Sequence, residues 1–496
     1  MRREAARIVR GVAHAMIAAL VASGICVASA PALAQPAGSS TAPAAGARPN
    51  IVYIVADDLG WKDVGFHGSD IKTPSIDALA AGGARLEQFY VQPMCTPTRA
   101  ALMTGRYPFR YGLQSFVIPA SGTYGLPTDE WLLPQALGDA GYETAIVGKW
   151  HLGHADRKFW PKQRGFDYQY GPLIGEIDYF THQANGVVDW YRNDTVVQEE
   201  GYSTTLLGND AVKLIDAHDA AKPLFLYLAF NAAHTPYQAT PEYLDRYKSI
   251  EDPSRRAYAG SITAMDDQIG RVVAALEKKK MRDNTLIVFM SDNGGTRNPM
   301  FTGAIADVSK IKIPCDNGPY REGKASNYEG GTRVVAIANW PGHIPAGVTV
   351  TEMIHVVDMY PTLVGLAGGS FDKAKPLDGT NVWATISQGQ PSPRTEVVYN
   401  IEPNRAAVRE GDWKLVWGVT LPQTIELYNI AQDPSEQHNV ADQHPDIVAT
   451  LQKRADELAT QAAKPLFLEM GFKSILKQAH LPPTFPVEQV PFDEED

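Results

Sequence analysis

The chain has 496 residues, 44% apolar and 20% charged, which is more than one ordinary core holds; a large domain with a smaller one is expected, and bulk disorder is excluded. Its formal charge is −11, and because residues 1–34 carry four arginines and one glutamate, the remainder stands near −14. That balance speaks against nucleic acid or an anionic membrane as a partner.

Arg2, Arg3, Arg7 and Arg10 precede an apolar stretch from Gly11 to Ala30, and Ala32-Leu33-Ala34 offers a small-residue cleavage site. Residues 1–34 are therefore expected to be a signal peptide, and the Pro-, Ala-, Gly- and Ser-rich residues 35–47 a flexible linker. The chain is expected to be exported, periplasmic or secreted, without a stable membrane anchor, since no later segment is apolar enough to span a bilayer. Cys26 would leave with the signal. Cys95 and Cys315 then remain, too few for a disulfide framework: either they form one bridge or one of them is kept for chemistry.

From residue 48 on, apolar strands alternate with helices. Asn50 to Val55 reads as a strand, and Thr73-Pro74 opens a helix that Gly82-Gly83 ends. Pro97 and Gly105 frame a short helix, and Leu132 to Ala140 suggests another. Strands follow at Thr144 to Val147, Leu224 to Phe230, Leu286 to Met290 and Arg333 to Ala338, with a helix from Ser261 to Leu276. The pattern predicts an α/β domain over residues 48–394, a large mixed, mostly parallel sheet sandwiched by helices. Residues 395–480 change texture, with strand-like pieces at Glu396 to Asn400, Ala406 to Trp417 and Thr424 to Tyr428 and a helix from Ile447 to Gln461; they predict a smaller antiparallel sheet with a helix on it. Residues 481–496 read as an acidic, Pro-rich tail.

Polar clusters sit just past the strand ends: Asp57-Asp58, Lys149 with His151, His234, and Asp292-Asn293. Ligands bind at that edge of an open α/β sheet, so the clusters are expected to share one site. Asp57, Asp58, Asp292 and Asn293 offer oxygen ligands suited to Ca²⁺ or Mg²⁺ rather than zinc. Cys95 falls at the start of the Pro97–Gly105 helix, where backbone N–H groups favour an anion, and Arg99 lies one turn in, able to return over the same end.

The run Cys95-x-Pro97-x-Arg99, extended to Thr104-Gly105-Arg106, resembles the sulfatase signature. Asp57-Asp58-Leu59-Gly60, Gly148-Lys149-Trp150-His151-Leu152-Gly153, Ala233-His234-Thr235-Pro236, Ser291-Asp292-Asn293-Gly294-Gly295, Gly323-Lys324 and Glu329-Gly330-Gly331-Thr332-Arg333 resemble the family's other blocks, in the family's order, over residues 48 to about 465. Arg164-Gly165-Phe166-Asp167 and Lys375-Pro376-Leu377-Asp378-Gly379 look closest to the arylsulfatase B branch, which commonly has Trp where Tyr328 stands.

The resemblance implies an alkaline-phosphatase-like fold and hydrolysis of aryl or carbohydrate sulfate monoesters. It implies that a dedicated maturation enzyme oxidises Cys95 to Cα-formylglycine. One hydroxyl of the hydrated aldehyde takes the sulfuryl group, and deprotonation of the other expels sulfate. It further implies one divalent cation, Ca²⁺ rather than Mg²⁺, on Asp57, Asp58, Asp292, Asn293 and the formylglycine at 95. Arg99 steadies the nucleophile, Lys149 contacts the diol or sulfate, His151 accepts the second hydroxyl's proton, and His234 and Lys324 serve the leaving group. The branch likeness points to a sulfated sugar such as an N-acetylgalactosamine sulfate. Competing readings are a phosphonate monoester or phosphodiester hydrolase of the same superfamily and a non-catalytic glycan-binding protein. Rim loops at 175–190 and 296–320 are expected to choose the substrate; within the first, Tyr179, Phe180 and Trp190, with the adjoining Tyr191, either stack on a ring or belong to the core.

Overall fold

The computed structural model describes residues 48–297, 313–419 and 423–478. The expected signal peptide, linker and acidic tail, and residues 298–312 of the second expected rim loop, lie outside them. The large sheet is built from β1 (Asn50–Ala56), β2 (Ala84–Leu86), β3 (Glu143–Gly148), β4 (Tyr168–Gly171), β5 (Tyr191–Arg192), β6 (Thr195–Val196), β7 (Leu224–Ala229), β8 (Thr285–Ser291), β9 (Ala336–Asn339) and β10 (Val348–Val350). Their spatial order is β10-β2-β9-β8-β1-β7-β3-β4-β5-β6. The central run from β8 to β4 is parallel, while β9 and β5 pair antiparallel at its flanks. The sheet is mixed and mostly parallel in its middle, as the alternation of elements predicts.

Strands buried on both faces need apolar residues at every position, and β1 shows why. Ile51, Tyr53 and Val55 enter one core, with Ala100, Leu102 and Met103 of α2 (Cys95–Thr104) and Leu133 and Leu137 of a following helix (Leu133–Asp139). Val52 and Ile54 enter the other core, shared with α1 (Pro74–Ala81) and two longer helices, Ser203–Ala217 and Pro253–Lys278. The last of these is longer than Ser261 to Leu276, because Asp252 caps it, accepting from Arg255 N–H at 2.8 Å, and Pro253 fits the first turn.

The C-terminal part carries β11 (Glu396–Ile401), β12 (Arg405–Glu410), β13 (Trp413–Gly418) and β14 (Thr424–Asn429) as an antiparallel sheet in sequence order, with the helix Pro445–Ala459 packed on it. The single piece expected over Ala406 to Trp417 is two strands. Gly411, at φ +56°, turns the chain between them, a conformation without steric cost for glycine. Among the described residues no helix is long and apolar enough to cross a membrane.

Candidate active site

The ladder of the parallel sheet continues past the ends of its strands, and this assembles the site. Asp57 N–H donates to Ala232 O at 2.9 Å, Lys149 N–H to Ala229 O at 2.8 Å and Asp292 N–H to Ala56 O at 3.0 Å. Each polar residue is thus registered by a backbone bond to a neighbouring strand's exit. Two non-glycine residues here, Asp58 at φ +60° and His151 at φ +61°, hold left-handed backbone, a strain that the surrounding bonds sustain. A side chain on Gly148 would strike Ala229 O and one on Gly294 would strike Gly330 O, each at 1.8 Å, so both turns require glycine for close approach.

All ten residues singled out in the sequence meet at this edge. Cys95 is 1% exposed in the first turn of α2, its Sγ 3.5 Å from Asp57 Oδ1 and 4.0 Å from Asp58 Oδ1. Burial, then Asp292, pushes its thiol well above the ordinary range, so as an unmodified cysteine it stays protonated. Among the described residues both Cys95 and Cys315 are free and buried, so no bridge joins them. Arg99 Nη2 comes within 3.8 Å of Asp57 Oδ1, the oxygen that faces Cys95 Sγ, while its Nε and Nη2 donate to Asp292 Oδ2 at 3.0 and 2.7 Å and its Nη1 to Lys149 O at 3.0 Å.

Lys149 Nζ lies 2.6 Å from Asp57 Oδ2, and Lys324 Nζ 2.8 Å from Asp58 Oδ2 and 3.1 Å from His234 Nε2. Burial raises the Asp58 carboxyl, but Lys324 and His234 outweigh it and hold it down at about 2. His234 is driven down to about 4 by burial and Lys324 against the pull of Asp58. A neutral ring that donates from Nδ1 to Thr235 O, 2.7 Å away, accepts at Nε2 from Lys324. β3 ends at Gly148, and a turn at φ +61° brings His151 into the site, with Nε2 3.1 Å from Ile118 O and Nδ1 buried without a partner. Burial, then Lys149 and Arg99, pushes its pKa well below the ordinary value.

Oxygen donors, a buried Asn293 Oδ1 without a hydrogen-bond partner, and ligand atoms of Asp57, Asp58, Cys95 and His234 within 4.8 Å of one another fit a hard divalent cation. His234 joins that group, whereas Asp292 is already engaged by Arg99 through Oδ2. With a divalent ion, the three aspartates are outweighed by Arg99, Lys149, Lys324 and the ion, leaving a cationic hole in an acidic protein.

The centre opens into a cavity of about 440 Å³. One wall, Phe116 to Ala120, carries no sequence signal because its residue types are ordinary, and it is tied to α2 where Ile118 N–H donates to Thr96 Oγ1 at 3.1 Å; another, Ile174 to Asp178, falls almost wholly in the rim loop expected at 175–190. Of the rim aromatics, Tyr179 and Trp190 are core, Tyr191 is half-buried and Phe180 is exposed. Tyr179 Oη bonds the carbonyls of Asn231 and His234, bracing the His234 turn.

A family model described as Sulfatase matches residues 49–370. This chain belongs to the sulfatase family. A second model, N-sulphoglucosamine sulphohydrolase, C-terminal, matches residues 323–461 of this sulfatase. Mouse arylsulfatase J is 36% identical over 83% of the sulfatase and 75% of its own length; pig N-acetylgalactosamine-6-sulfatase is 35% identical over 71% and 68%. The crystal structure of Ps i-CgsB in complex with k-i-k-neocarrahexaose matches at a TM-score of 0.76 and 36% identity, covering 84% of this chain and 94% of that one. The sulfatase hydrolyses sulfate esters, and its buried Asp-Asp-Cys-His cluster fits a divalent metal and a formylglycine formed from Cys95.

The segments that suggested the arylsulfatase B branch do not line the cavity. Arg164 donates to three carbonyls, of Leu126, Pro127 and Glu130, and Asp378 accepts from Tyr107 N–H and Arg110, so these motifs hold loops rather than substrate. Tyr328 uses what a Trp lacks: its hydroxyl donates to Glu426 at 2.8 Å while Arg321 lies 3.8 Å over its ring.

Proposed function

We propose that this sulfatase is an exported, calcium-dependent enzyme that removes sulfate from saccharides, with Cys95 matured to formylglycine as its nucleophile. The observation that carries the reading is the setting of Cys95, sealed against Asp57 and Asp58 with its thiol held protonated, a poor place for a cysteine and a good one for a hydrated aldehyde. That hydrate supplies one hydroxyl for attack and a second whose deprotonation expels the sulfate carried by the first and restores the aldehyde. Asp57, Asp58, Asp292 and Asn293 would hold the cation, which when bound makes the attacking hydroxyl more acidic and neutralises a sulfate oxygen. A set of carboxylate and amide oxygens suits the larger, more flexible coordination of Ca²⁺ better than the strict octahedron of Mg²⁺.

The chain's own groups divide the remaining work. Arg99 fixes Asp292 and the Lys149 carbonyl, keeping two strand exits in register around residue 95. Lys149 sets a positive charge beside Asp57, within the floor of the anion hole. His151, neutral and with Nδ1 unpartnered, is suited to take the proton of the second hydroxyl. Lys324 points its ammonium at His234 and Asp58 on the leaving-group side, where an alkoxide needs a proton. Since folding seals Cys95, the maturation enzyme has to meet the chain before it folds, which accords with the signal-like residues 1–34.

The test is mass spectrometry of the peptide bearing Cys95, joined to turnover of a panel of sulfated mono- and disaccharides beside 4-nitrophenyl sulfate. The aldehyde and saccharide turnover are expected. An unmodified thiol in active protein, or faster cleavage of the matched phosphonate or phosphate diester, overturns the reading.

A further inference from the structure

With a divalent ion the floor of the cavity is cationic, but among the described residues its mouth is not. Among the described lining residues, Lys324 is the one Lys or Arg, and it belongs to the floor. The charged groups farther out are Glu176 and Asp178, both on the wall that runs from Ile174. Asp178 keeps its charge: Phe180 N–H, Thr181 N–H and the Gln238 amide donate to it at 3.0, 2.8 and 2.7 Å, and these bonds hold it below the ordinary carboxylate range despite partial burial. Glu176 is exposed and close enough to His234 for its charge to be felt there.

This wall is built rather than loose. Buried Asp189 accepts from Leu173 and Ile174 N–H at 3.3 and 2.7 Å, and Asp178 N–H donates to Gln183 O at 2.9 Å. The stretch from Phe116 to Ala120 gives the lining an apolar side, with Phe116 backed by Phe467 at a ring separation of 4.7 Å, and Gln183 and Asn185 add uncharged amides. A sugar ring has an apolar C–H face for such a surface and hydroxyls for a carboxylate to accept from. A second sulfate or a carboxylate beside the scissile ester would instead meet the negative charge of Glu176 on the cavity wall, a like-charge contact that costs binding and that salt screens.

We propose that Glu176 is a specificity-determining residue that confines this cavity to sulfate esters of uncharged rings, so that the substrate is a monosulfated neutral sugar unit rather than a polyanionic one. The inference rests on the saccharide reading above and narrows it. Asp178 reinforces Glu176 from behind, and the restriction acts on the alcohol, not on the sulfate.

The test uses the matured enzyme, the methyl hexoside monosulfate that the panel selects, and its analogue with a second sulfate on the adjacent carbon. In the wild type the ratio of kcat/KM, mono over di, is expected to exceed about tenfold at low ionic strength and to shrink as salt is added. Glu176→Gln should compress that ratio by roughly three- to tenfold, and Glu176→Asp should keep most of it. An unchanged ratio in Glu176→Gln, or a wild type that prefers the disulfate, overturns the inference while saccharide turnover leaves the parent reading standing. Turnover of 4-nitrophenyl sulfate with none of any sulfated saccharide overturns both.

Discussion

Lys414 offers the sharpest energetic test of how the C-terminal sheet is fastened to the catalytic part. It rises from β13 with no solvent exposure, 2.9 Å from Glu329 Oε1 and 2.8 Å from Glu436 Oε1, both carboxylates equally buried. The second contact is Coulombic rather than a directed hydrogen bond, since Glu436 Oε1 lacks a hydrogen-bond partner. In Lys414→Met the stem volume is kept and the charge lost. Glu329 retains hydroxyls from Tyr90 and Tyr399 at 2.9 and 2.8 Å and Arg333 at 3.6 Å. Glu436 retains the Glu329 N–H at 2.7 Å and no other cation among the described residues. Breaking a buried pair on one side costs about 3–5 kcal/mol, and the support left to Glu329 places this case near about 3. Burial already pushes Glu436 up to about 7 against the pull of Lys414, with Glu329 adding to the rise. A carboxyl whose folded pKa exceeds its unfolded one binds the proton more tightly when folded, so its contribution to stability falls as pH rises. Losing Lys414 raises that pKa further. The deficit should therefore widen from pH 6 to pH 8.5, and Glu436→Gln added to Lys414→Met should recover more than half of it at pH 8.5. Urea unfolding at both pH values measures this. A deficit under about 1 kcal/mol at pH 8.5, or one that does not grow with pH, would refute the account.

Cys95→Ala should lose all turnover while its unfolding free energy shifts by about 1 kcal/mol or less, because a small buried side chain is shortened by one atom; residual turnover would contradict the nucleophile. Chelation should abolish 4-nitrophenyl sulfate hydrolysis, with Ca²⁺ restoring it more fully than Mg²⁺, as a titration of activity against each ion would show. Asp266 accepts the N–H groups of Ser75 and Ile76 at 3.0 and 2.8 Å, capping α1 from another helix. Asp266→Ala should cost about 1–3 kcal/mol by urea unfolding. Burial lifts this carboxyl to about 6 against those two bonds, so its contribution to stability falls between about pH 4 and 6, and Asp266→Asn should flatten that slope.

Local signals carried far along this chain. The doubly buried strands announced themselves as unbroken apolar runs, and Pro and Gly marked where α1 and α2 begin and end. Legibility ended where the deciding contact is distant in sequence. Ala406 to Trp417 is expected as one piece although Glu410-Gly411-Asp412 interrupts it with residues that disfavour strands, and the turn there is settled by the antiparallel pairing of β12 with β13. Which carboxylate Arg99 holds is decided far off in sequence, since Asp292, 193 residues away, accepts from both its Nε and Nη2.

The sequence by itself determined the inventory of the site, since Cys95, the paired acids, Lys149 and the histidines each follow a strand or open a helix, Lys324 comes from the resemblance of Gly323-Lys324 to the family's block, and parallel strands place their exits at one edge. Tertiary structure alone decided which acid each cation serves, that His151 enters through a left-handed turn, and that Glu176 and Asp178 stand on the cavity wall. The physical reason is the difference in range. Periodicity and capping act within one element, whereas desolvation and charge pairing depend on whatever the fold brings within a few ångströms.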